Sequence, residues 1–292
     1  MGGKLGKEKK LFDSEVDTSV ETAIALGISP SGVETIQEEG KAPNIAPKSG
    51  WHSSKAAVKI SPTEVLVLGW NGVHKIDLQK GTQSKYSNEE YHLISAVICT
   101  SLGSPGAPPK LVTLSGTGLK HIDLSNGGFA KKKIAGTYWD GSNVRTVLHH
   151  PKSGRTVVLT VTGTYSLNLD DGKNEKLSKG SSWSTANCGV VYPDGAFAMI
   201  FGEMGQYKMS MEDGSYESVG SECWPRALDA VLNKDGSACL VFNENSIYRV
   251  DLATGQQTKV HGNSWHYLKS VCRLGLDAGV GTRIHEDNAG RS

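Results

Sequence analysis

The sequence of 292 residues is short of charge, of long apolar runs and of paired cysteines. Lysine and arginine number 31 against 30 aspartates and glutamates, so the net charge of +1 predicts no general attraction to nucleic acid. No apolar run approaches the about 18 residues that a membrane span requires. The five cysteines show no paired spacing, and no Asn-x-Ser/Thr acceptor occurs. These absences favour a reduced, cytoplasmic protein.

Residues 1–14 are predicted to form a flexible basic tail that lacks the apolar core of a secretory signal peptide. Gly2 follows the initial methionine and precedes several lysines, an arrangement similar to a myristoylated, polybasic membrane tether. The usual motif has Ser or Thr at position six, where this sequence has Gly6. Membrane association is therefore expected only if Gly2 is lipidated, and a solvated tail is the alternative.

Glycine is abundant, with 35 residues, and it follows a repeated pattern. Five apolar–polar–apolar segments are centred on residues 77, 123, 168, 210 and 251, so the steps between them are 46, 45, 42 and 41 residues. Aromatic residues open each unit with a similar spacing: Trp51, Tyr91, Trp139, Trp183, Trp224 and Trp265. Each unit has room for four short strands separated by turn residues. This period predicts a β-propeller.

The last unit is incomplete, and the N-terminal region supplies a plausible remainder. Trp265–Leu274 is predicted as its first strand and Val280–His285 as its second. Leu26–Ile28 and Val33–Ile36, in the region 20–37, mimic the third and fourth strands of the other units. We therefore predict that the two ends of the chain complete one blade together, which leaves no open edge in the ring.

The resulting prediction is an all-β fold, a six-bladed β-propeller of four-stranded antiparallel blades, formed by residues 15–292 as one domain. The alternative is a five-bladed ring with an amphipathic helix over Ser14–Ala25 packed outside it.

The six opening aromatics should share one face of the propeller, and two interpretations of them remain open. They can be wedges that fill the gaps between twisted sheets, since each aromatic side chain buries a large area. They can also be platforms on which sugar rings stack, with polar neighbours that bind the hydroxyls. The candidate ligand-binding residues are thus the six aromatics together with Asp140, Asn187, Arg226 and Asn263.

One repeat resembles those of known lectins. Ser182-Trp183 is followed by the apolar strand and turn Val190–Gly195 and by the aromatic–basic strand Gln206–Met209, and Ser246–Val250 fits the same last element. This order is similar to the repeat of tachylectin- and tectonin-type lectin propellers. The resemblance implies a propeller fold and carbohydrate binding. The sequence departs from the tachylectins in lacking Gly-Gly before the tryptophans, and Asp251–Gly255 is equally typical of propellers that are not lectins.

Histidine follows the aromatic in three units that are adjacent around the predicted ring, at His52, His92 and His266. Three imidazoles near the axis could bind zinc or another transition metal with an open position. The alternative is that these histidines are solvated or hydrogen-bonded. His149-His150 precedes a turn on the opposite face, where we expect a plain surface loop.

The sequence contains no nucleophile elbow, phosphate-binding loop or dinucleotide fingerprint. The leading hypothesis is therefore a non-catalytic, lectin-like propeller that binds a small molecule or glycan through aromatic-lined sites on one face. One alternative is an intracellular scaffold for protein partners, tethered to a membrane if its N-terminus is lipidated. Another is a metal-dependent enzyme that uses the axial histidines.

Overall fold

The computed structural model describes residues 9–10, 23, 25–30, 32–37, 51–80, 82–91, 94–100, 110–115, 118–124, 130–134, 143–177, 182–261, 268–275 and 280–282. Within these residues the protein consists of 25 strands and one 3-10 helix at Trp51–Ser53.

The strands fall into blades in the order of the chain. The N-terminal strands are β1 (Lys9–Lys10), β2 (Ala25–Ser29) and β3 (Gly32–Ile36). Blade I contains β4 (Ser54–Ser61), β5 (Glu64–Gly69), β6 (Gly72–Asp77) and β7 (Thr82–Ser87). Blade II contains β8 (Ile94–Cys99), β9 (Lys110–Ser115), β10 (Gly118–Asp123) and β11 (Ala130–Lys133). Blade III contains β12 (Val144–His149), β13 (Thr156–Thr160), β14 (Gly163–Leu167) and β15 (Asn174–Lys176). Blade IV contains β16 (Ala186–Val191), β17 (Phe197–Gly202), β18 (Gly205–Ser210) and β19 (Tyr216–Ser218). Blade V contains β20 (Ala227–Leu232), β21 (Ala238–Asn243), β22 (Ser246–Asp251) and β23 (Gln257–His261). The C-terminal strands are β24 (Ser270–Arg273) and β25 (Val280–Thr282).

Six antiparallel sheets confirm the prediction of a six-bladed β-propeller. Blades I to V each have four consecutive strands in sequential order, and blade VI has the order β24-β2-β3 within the described residues. The five-bladed alternative is therefore wrong. Of its proposed helix, residues 14–22 and 24 lie outside the described residues, and Ala25 is the first residue of β2.

Apolar side chains from neighbouring blades form the core of the ring. There are six clusters of buried hydrophobic residues among the described residues, and each joins two successive blades, including the pair VI and I. For example, Val33 of blade VI packs in one cluster with Ala57 and Val67 of blade I. Because a single sheet cannot bury both of its faces alone, each blade depends on both of its neighbours.

Blade VI is assembled from both ends of the described chain, as the sequence predicts, but with different strands. Leu26 pairs with Cys272 and with Thr35, so β2 is the second strand of the blade and β3 is the third. The prediction that the N-terminal segments are the third and fourth strands is wrong. The burial pattern gives the reason, since every residue of β2 is buried, as is typical of a central strand covered on both faces.

The predicted second strand of blade VI lies elsewhere. β25, within Val280–His285, pairs with the first strand of blade II, with Gly281 opposite Val97. Gly281 also lies against the carbonyl oxygen of Ala57 in the first strand of blade I, so closely that a side chain at this position would overlap that oxygen. β25 thus fills the space between the inner strands of blades I and II, and glycine is required for it to fit.

At the other end of the chain, Lys9–Lys10 forms a strand at the outer edge of blade I. Lys9 pairs with Gln83 and Lys10 with Thr82. This part of the predicted flexible tail is therefore extended along β7, and the rest of residues 1–14 lies outside the described residues.

Candidate functional site

The strand order gives the propeller two faces with different connections. We call one the aromatic face; it has the connections that enter the first strand of each blade and the turns between second and third strands, such as Trp70–Asn71. We call the other the turn face; it has the remaining turns, such as 150–155 and 168–173. The opening aromatics of the described blades lie on the aromatic face.

The four opening aromatics that the structure describes are buried between blades. Trp51, Tyr91, Trp183 and Trp224 are between 1% and 7% exposed. Trp224 packs edge-on against Phe201 of blade IV, with ring centroids 5.3 Å apart. In this arrangement the rings act as packing wedges, and a sugar could stack on them only after the covering chains moved.

Two of these indoles also hydrogen-bond to the preceding blade. Trp183 Nε1 donates to Thr164 Oγ1 at 2.7 Å, and Trp224 Nε1 donates to Gln206 Oε1 at 3.1 Å. Both acceptors are the second residue of a third strand, directly after a glycine with positive φ. Because a buried indole N–H needs a partner, Thr and Gln at these two positions match the tryptophans that follow them.

Trp51 lacks this bond. Its ring lies edge-on to His74 at 5.5 Å, and its buried Nε1 has no hydrogen-bond partner among the described residues. The corresponding second residue of β3 is Val33, whose side chain cannot accept a hydrogen bond. The junction between blades VI and I is therefore held by apolar packing at this point.

The polar candidates Asn187 and Arg226 lie on the aromatic face beside Trp224. Asn187 Nδ2 donates to the Trp224 carbonyl oxygen at 2.7 Å, and Arg226 Nη1 lies 2.9 Å from Glu244 Oε2. Asn187 is buried and the Arg226 side chain is 48% exposed. The structure thus brings these two residues to one junction, where each already has a protein partner.

Most of the remaining candidates lie outside the residues that the structure describes. His52 is the middle residue of the 3-10 helix at Trp51–Ser53. The other predicted site residues lie outside the described residues: Trp139, Asp140, Asn263, Trp265, His92, His266 and Gly2. Their roles, and the ligand-binding role of the aromatic set, stay predictions. Among the described residues, no three or more His, Cys, Asp or Glu side chains are grouped closely enough to bind a metal.

One exposed indole on the aromatic face escaped the sequence analysis. Trp70, in the turn between β5 and β6, is 48% exposed. Lys55 Nζ lies over the Trp70 ring, 4.7 Å from its centroid. The Trp70 backbone N–H donates to the Ser53 carbonyl oxygen at 3.0 Å. The Trp-Asn-Gly turn sequence predicts a hairpin. A large side chain at the tip of a hairpin is expected to be exposed, and this pattern could have identified Trp70 as a candidate binding residue.

A large cavity of the described structure is on the turn face. It is a cleft of about 1010 Å³ between blades II and III. Its lining includes Thr100, Lys110, His149, Arg155, Asp170 and Glu175. This volume is at the upper end of the range for small-molecule sites.

His149 and His150 are buried, so the expectation of a plain surface loop is wrong. His150 Nε2 lies 3.1 Å from the Pro193 carbonyl oxygen of blade IV, and its Nδ1 accepts from the Ser153 backbone N–H. His149 Nδ1 lies 2.8 Å from Thr156 Oγ1. Burial, and next the neighbouring His150, lowers the pKa of His149 to about 4. His149 is therefore neutral near pH 7, while His150 connects two blades.

None of the helices in the described residues is long and apolar enough to cross a membrane.

No protein-family model and no curated protein sequence matches this chain. Solved structures do match. The extracellular domain of a one-component system from B. thetaiotaomicron is similar with a TM-score of 0.55 at 13% identity, over 98% of this chain and 39% of that one. A chain of the nidogen/laminin complex has a TM-score of 0.59 at 10% identity, over 81% and 92% of the two chains. A functionally unknown protein from Desulfotomaculum acetoxidans has a TM-score of 0.53 at 13% identity, over 90% and 99%.

These similarities establish the fold class, the six-bladed β-propeller. The chain spans less than half the length of the first of these proteins, and the identities are too low to transfer a function. The resemblance to tachylectin- and tectonin-type lectins stays a prediction beyond the shared propeller fold.

Proposed function

We propose that the protein is a non-catalytic, lectin-like propeller that binds a carbohydrate on its aromatic face, with Trp70 as the stacking platform. The observation that carries this proposal is the exposed, fixed indole at this position. An exposed indole offers a flat apolar surface on which the C–H groups of a sugar can stack, with its polar neighbours available for the hydroxyls.

The contacts of Trp70 hold it ready for a ligand. Lys55 is itself buried and covers one side of the ring, so the solvent-exposed area is available for the C–H groups of a sugar. The hydrogen bond from the Trp70 backbone to Ser53 fixes the turn. A ring that is already ordered loses little conformational entropy when it binds.

Polar residues of the Trp70 turn and of the neighbouring segment before Tyr91 suit sugar hydroxyls. Asn71 follows Trp70 in the turn, and the exposed Glu89 and Glu90 precede Tyr91, whose backbone N–H donates to the Gly69 carbonyl oxygen at 3.0 Å. Amide and carboxylate groups around an apolar surface are the usual composition of such sites. The site at Trp70 thus keeps the predicted ligand class and face, and it replaces the buried aromatics as the platform.

The test is a glycan array followed by indole fluorescence titration of the sugars that bind. Trp70→Ala should weaken binding about tenfold or more, because stacking on an indole is worth on the order of 1–2 kcal/mol. Met204→Ala is the matched control, since Met204 is 70% exposed at the corresponding turn of blade IV. Binding that is equally strong in both variants, or a flat response across the array, would overturn the proposal. A protein that co-purifies with the wild type and is lost with Trp70→Ala would favour the scaffold alternative.

A further inference from the structure

We propose a second, separate binding site in the cleft between blades II and III, which takes a hydroxylated small molecule that carries an anionic group. The cleft is on the turn face, opposite to Trp70, so this inference goes beyond the proposed function and does not depend on it. Its size, about 1010 Å³, accommodates a molecule of the size of a sugar derivative.

The first observation is His149, which lines the cleft and has one imidazole nitrogen without a partner among the described residues. His149 is 4% exposed and lines the cleft, and its Nδ1 is occupied by Thr156 Oγ1. Its Nε2 has no hydrogen-bond partner among the described residues and is not sealed from solvent. An imidazole nitrogen without a protein partner can form a hydrogen bond with a group of a bound molecule.

The hydrogen-bonding capacity of the imidazole determines which ligand group can bind to it. If Nδ1–H donates to Thr156, then Nε2 is an acceptor; if the Thr156 hydroxyl donates to Nδ1, then Nε2–H is a donor. A hydroxyl group can donate and accept, so it satisfies either tautomer. Because burial keeps His149 neutral near pH 7, it contributes a hydrogen bond without adding a positive charge.

The second observation is the guanidinium of Arg155 at the same cleft. Arg155 is exposed, and its side chain has no salt bridge or hydrogen bond within the described part of the chain. Lys110 of blade II also lines the cleft. Guanidinium and ammonium groups with a neighbouring hydroxyl, here Thr100, are the usual recognition set for a carboxylate or a phosphate.

The cleft is mixed in charge rather than uniformly basic. Asp170 and Glu175 line it together with Lys173, which is paired with Asp171 at 3.4 Å. Carboxylates accept hydrogen bonds from ligand hydroxyls, so they suit the same molecule at its neutral end. A simple inorganic anion would use only the Arg155 side of the cleft and leave His149 without a partner.

The test measures binding of four probes by isothermal titration calorimetry: D-glucuronate, D-glucose 6-phosphate, D-glucose and inorganic phosphate. We expect glucuronate or glucose 6-phosphate to bind at least about tenfold more tightly than both glucose and phosphate. The two charged sugars separate a carboxylate-specific site from a phosphate-specific one. Every titration is repeated with Trp70→Ala, so loss of the aromatic-face site cannot be mistaken for loss of this one.

The variants follow from the two observations. Arg155→Gln should weaken the charged probe about tenfold or more, whereas Lys152→Gln removes a charge from the same turn but outside the cleft and should leave binding unchanged. His149→Asn keeps a group that can bond to Thr156 and removes Nε2, so it should weaken the charged sugar while inorganic phosphate is unaffected. Arg155 is exposed, so its substitution should not impair folding. No binding of either charged sugar, binding of glucose as tight as theirs, or an Arg155→Gln variant that binds like the wild type would overturn the proposal.

Discussion

Arg273 and Asp229 form a buried ion pair between the inner strands of two neighbouring blades. Arg273 Nη2 lies 2.9 Å from Asp229 Oδ1, and it also donates to the Gly189 carbonyl oxygen at 3.1 Å. The two side chains are 2% and 0% exposed. One guanidinium therefore connects blade VI with blades V and IV, and blade VI is the one that both ends of the described chain build together.

The first prediction concerns this pair. Arg273→Met should lower the free energy of unfolding by about 3–5 kcal/mol, because it leaves the Asp229 carboxylate buried without its partner. Urea unfolding at pH 7 measures the loss. The double variant Arg273→Met/Asp229→Asn should recover part of it, because the uncompensated charge is removed.

The control for that prediction is an exposed ion pair. Lys80 Nζ lies 3.5 Å from Asp77 Oδ2, and the Lys80 side chain is 67% exposed. Lys80→Met should cost less than about 1 kcal/mol, as is usual for solvated pairs. Equal losses for the two methionine variants would show that the buried pair has no special part in closing the ring.

The second prediction compares Trp51, Trp183 and Trp224, the tryptophans that are buried among the described residues. Trp183→Phe and Trp224→Phe remove the indole N–H and leave the polar groups of Thr164 and Gln206 without a donor. Trp51→Phe removes an N–H that has no partner within the described part of the chain. The first two variants should therefore lose about 1–3 kcal/mol more than the third in urea unfolding.

All three substitutions remove a similar amount of ring area, so Trp51→Phe serves as the control for packing. If the three losses are equal, the hydrogen bonds between blades contribute nothing beyond that packing.

The sequence predicted the ring because a propeller repeats one unit, and a repeat is visible in sequence without any knowledge of contacts. The openings at Trp51, Tyr91, Trp183 and Trp224 all precede first strands, and both ends of the described chain do contribute to one blade. These predictions depend on local patterns of strand and turn residues, which the fold preserves. The neighbour of Leu26 was predicted wrongly, because Leu26 pairs with Cys272 of the first strand and not with the segment Val280–His285.

The strand order within blade VI was harder to predict, because the residue types of Leu26–Ile28 resemble the apolar–polar–apolar segments of the other units. The better signal was Gly32-Val33, which matches the Gly-x start of the third strands at Gly72-Val73 and Gly118-Leu119. Burial of the aromatic rings, the exposure of Trp70 and the cleft at His149 depend on how neighbouring blades pack. Such distances between blades are not encoded in the period of a repeat.

The third prediction concerns the strand in the centre of the ring. Gly281→Val places a side chain against the Ala57 carbonyl oxygen and should displace β25 from β8. Hydrogen exchange of the β8 amides that face β25 should become about tenfold faster or more, with a loss of about 1–3 kcal/mol in unfolding free energy.

Gly275→Ala is the matched control, since the nearest atom to its new methyl group is the Leu232 carbonyl oxygen at 3.9 Å. It should leave the exchange of β8 unchanged. Unchanged exchange in Gly281→Val as well would mean that β25 does not depend on this close approach.

The fourth prediction is a dependence of stability on pH through His149. Burial lowers its pKa from 6.5 to about 4 in the folded protein, so between these values the unfolded chain binds more protons than the folded one. The contribution of the neutral, buried His149 to the free energy of unfolding is complete above about pH 6.5 and is lost as the pH falls toward 4. Between pH 7 and 4.5 the wild type should lose about 2 kcal/mol from this residue. His149→Asn has no such group, so urea unfolding at pH 7, 5.5 and 4.5 should show a shallower dependence for this variant. Parallel curves for the two proteins would contradict the assignment of a neutral, buried His149.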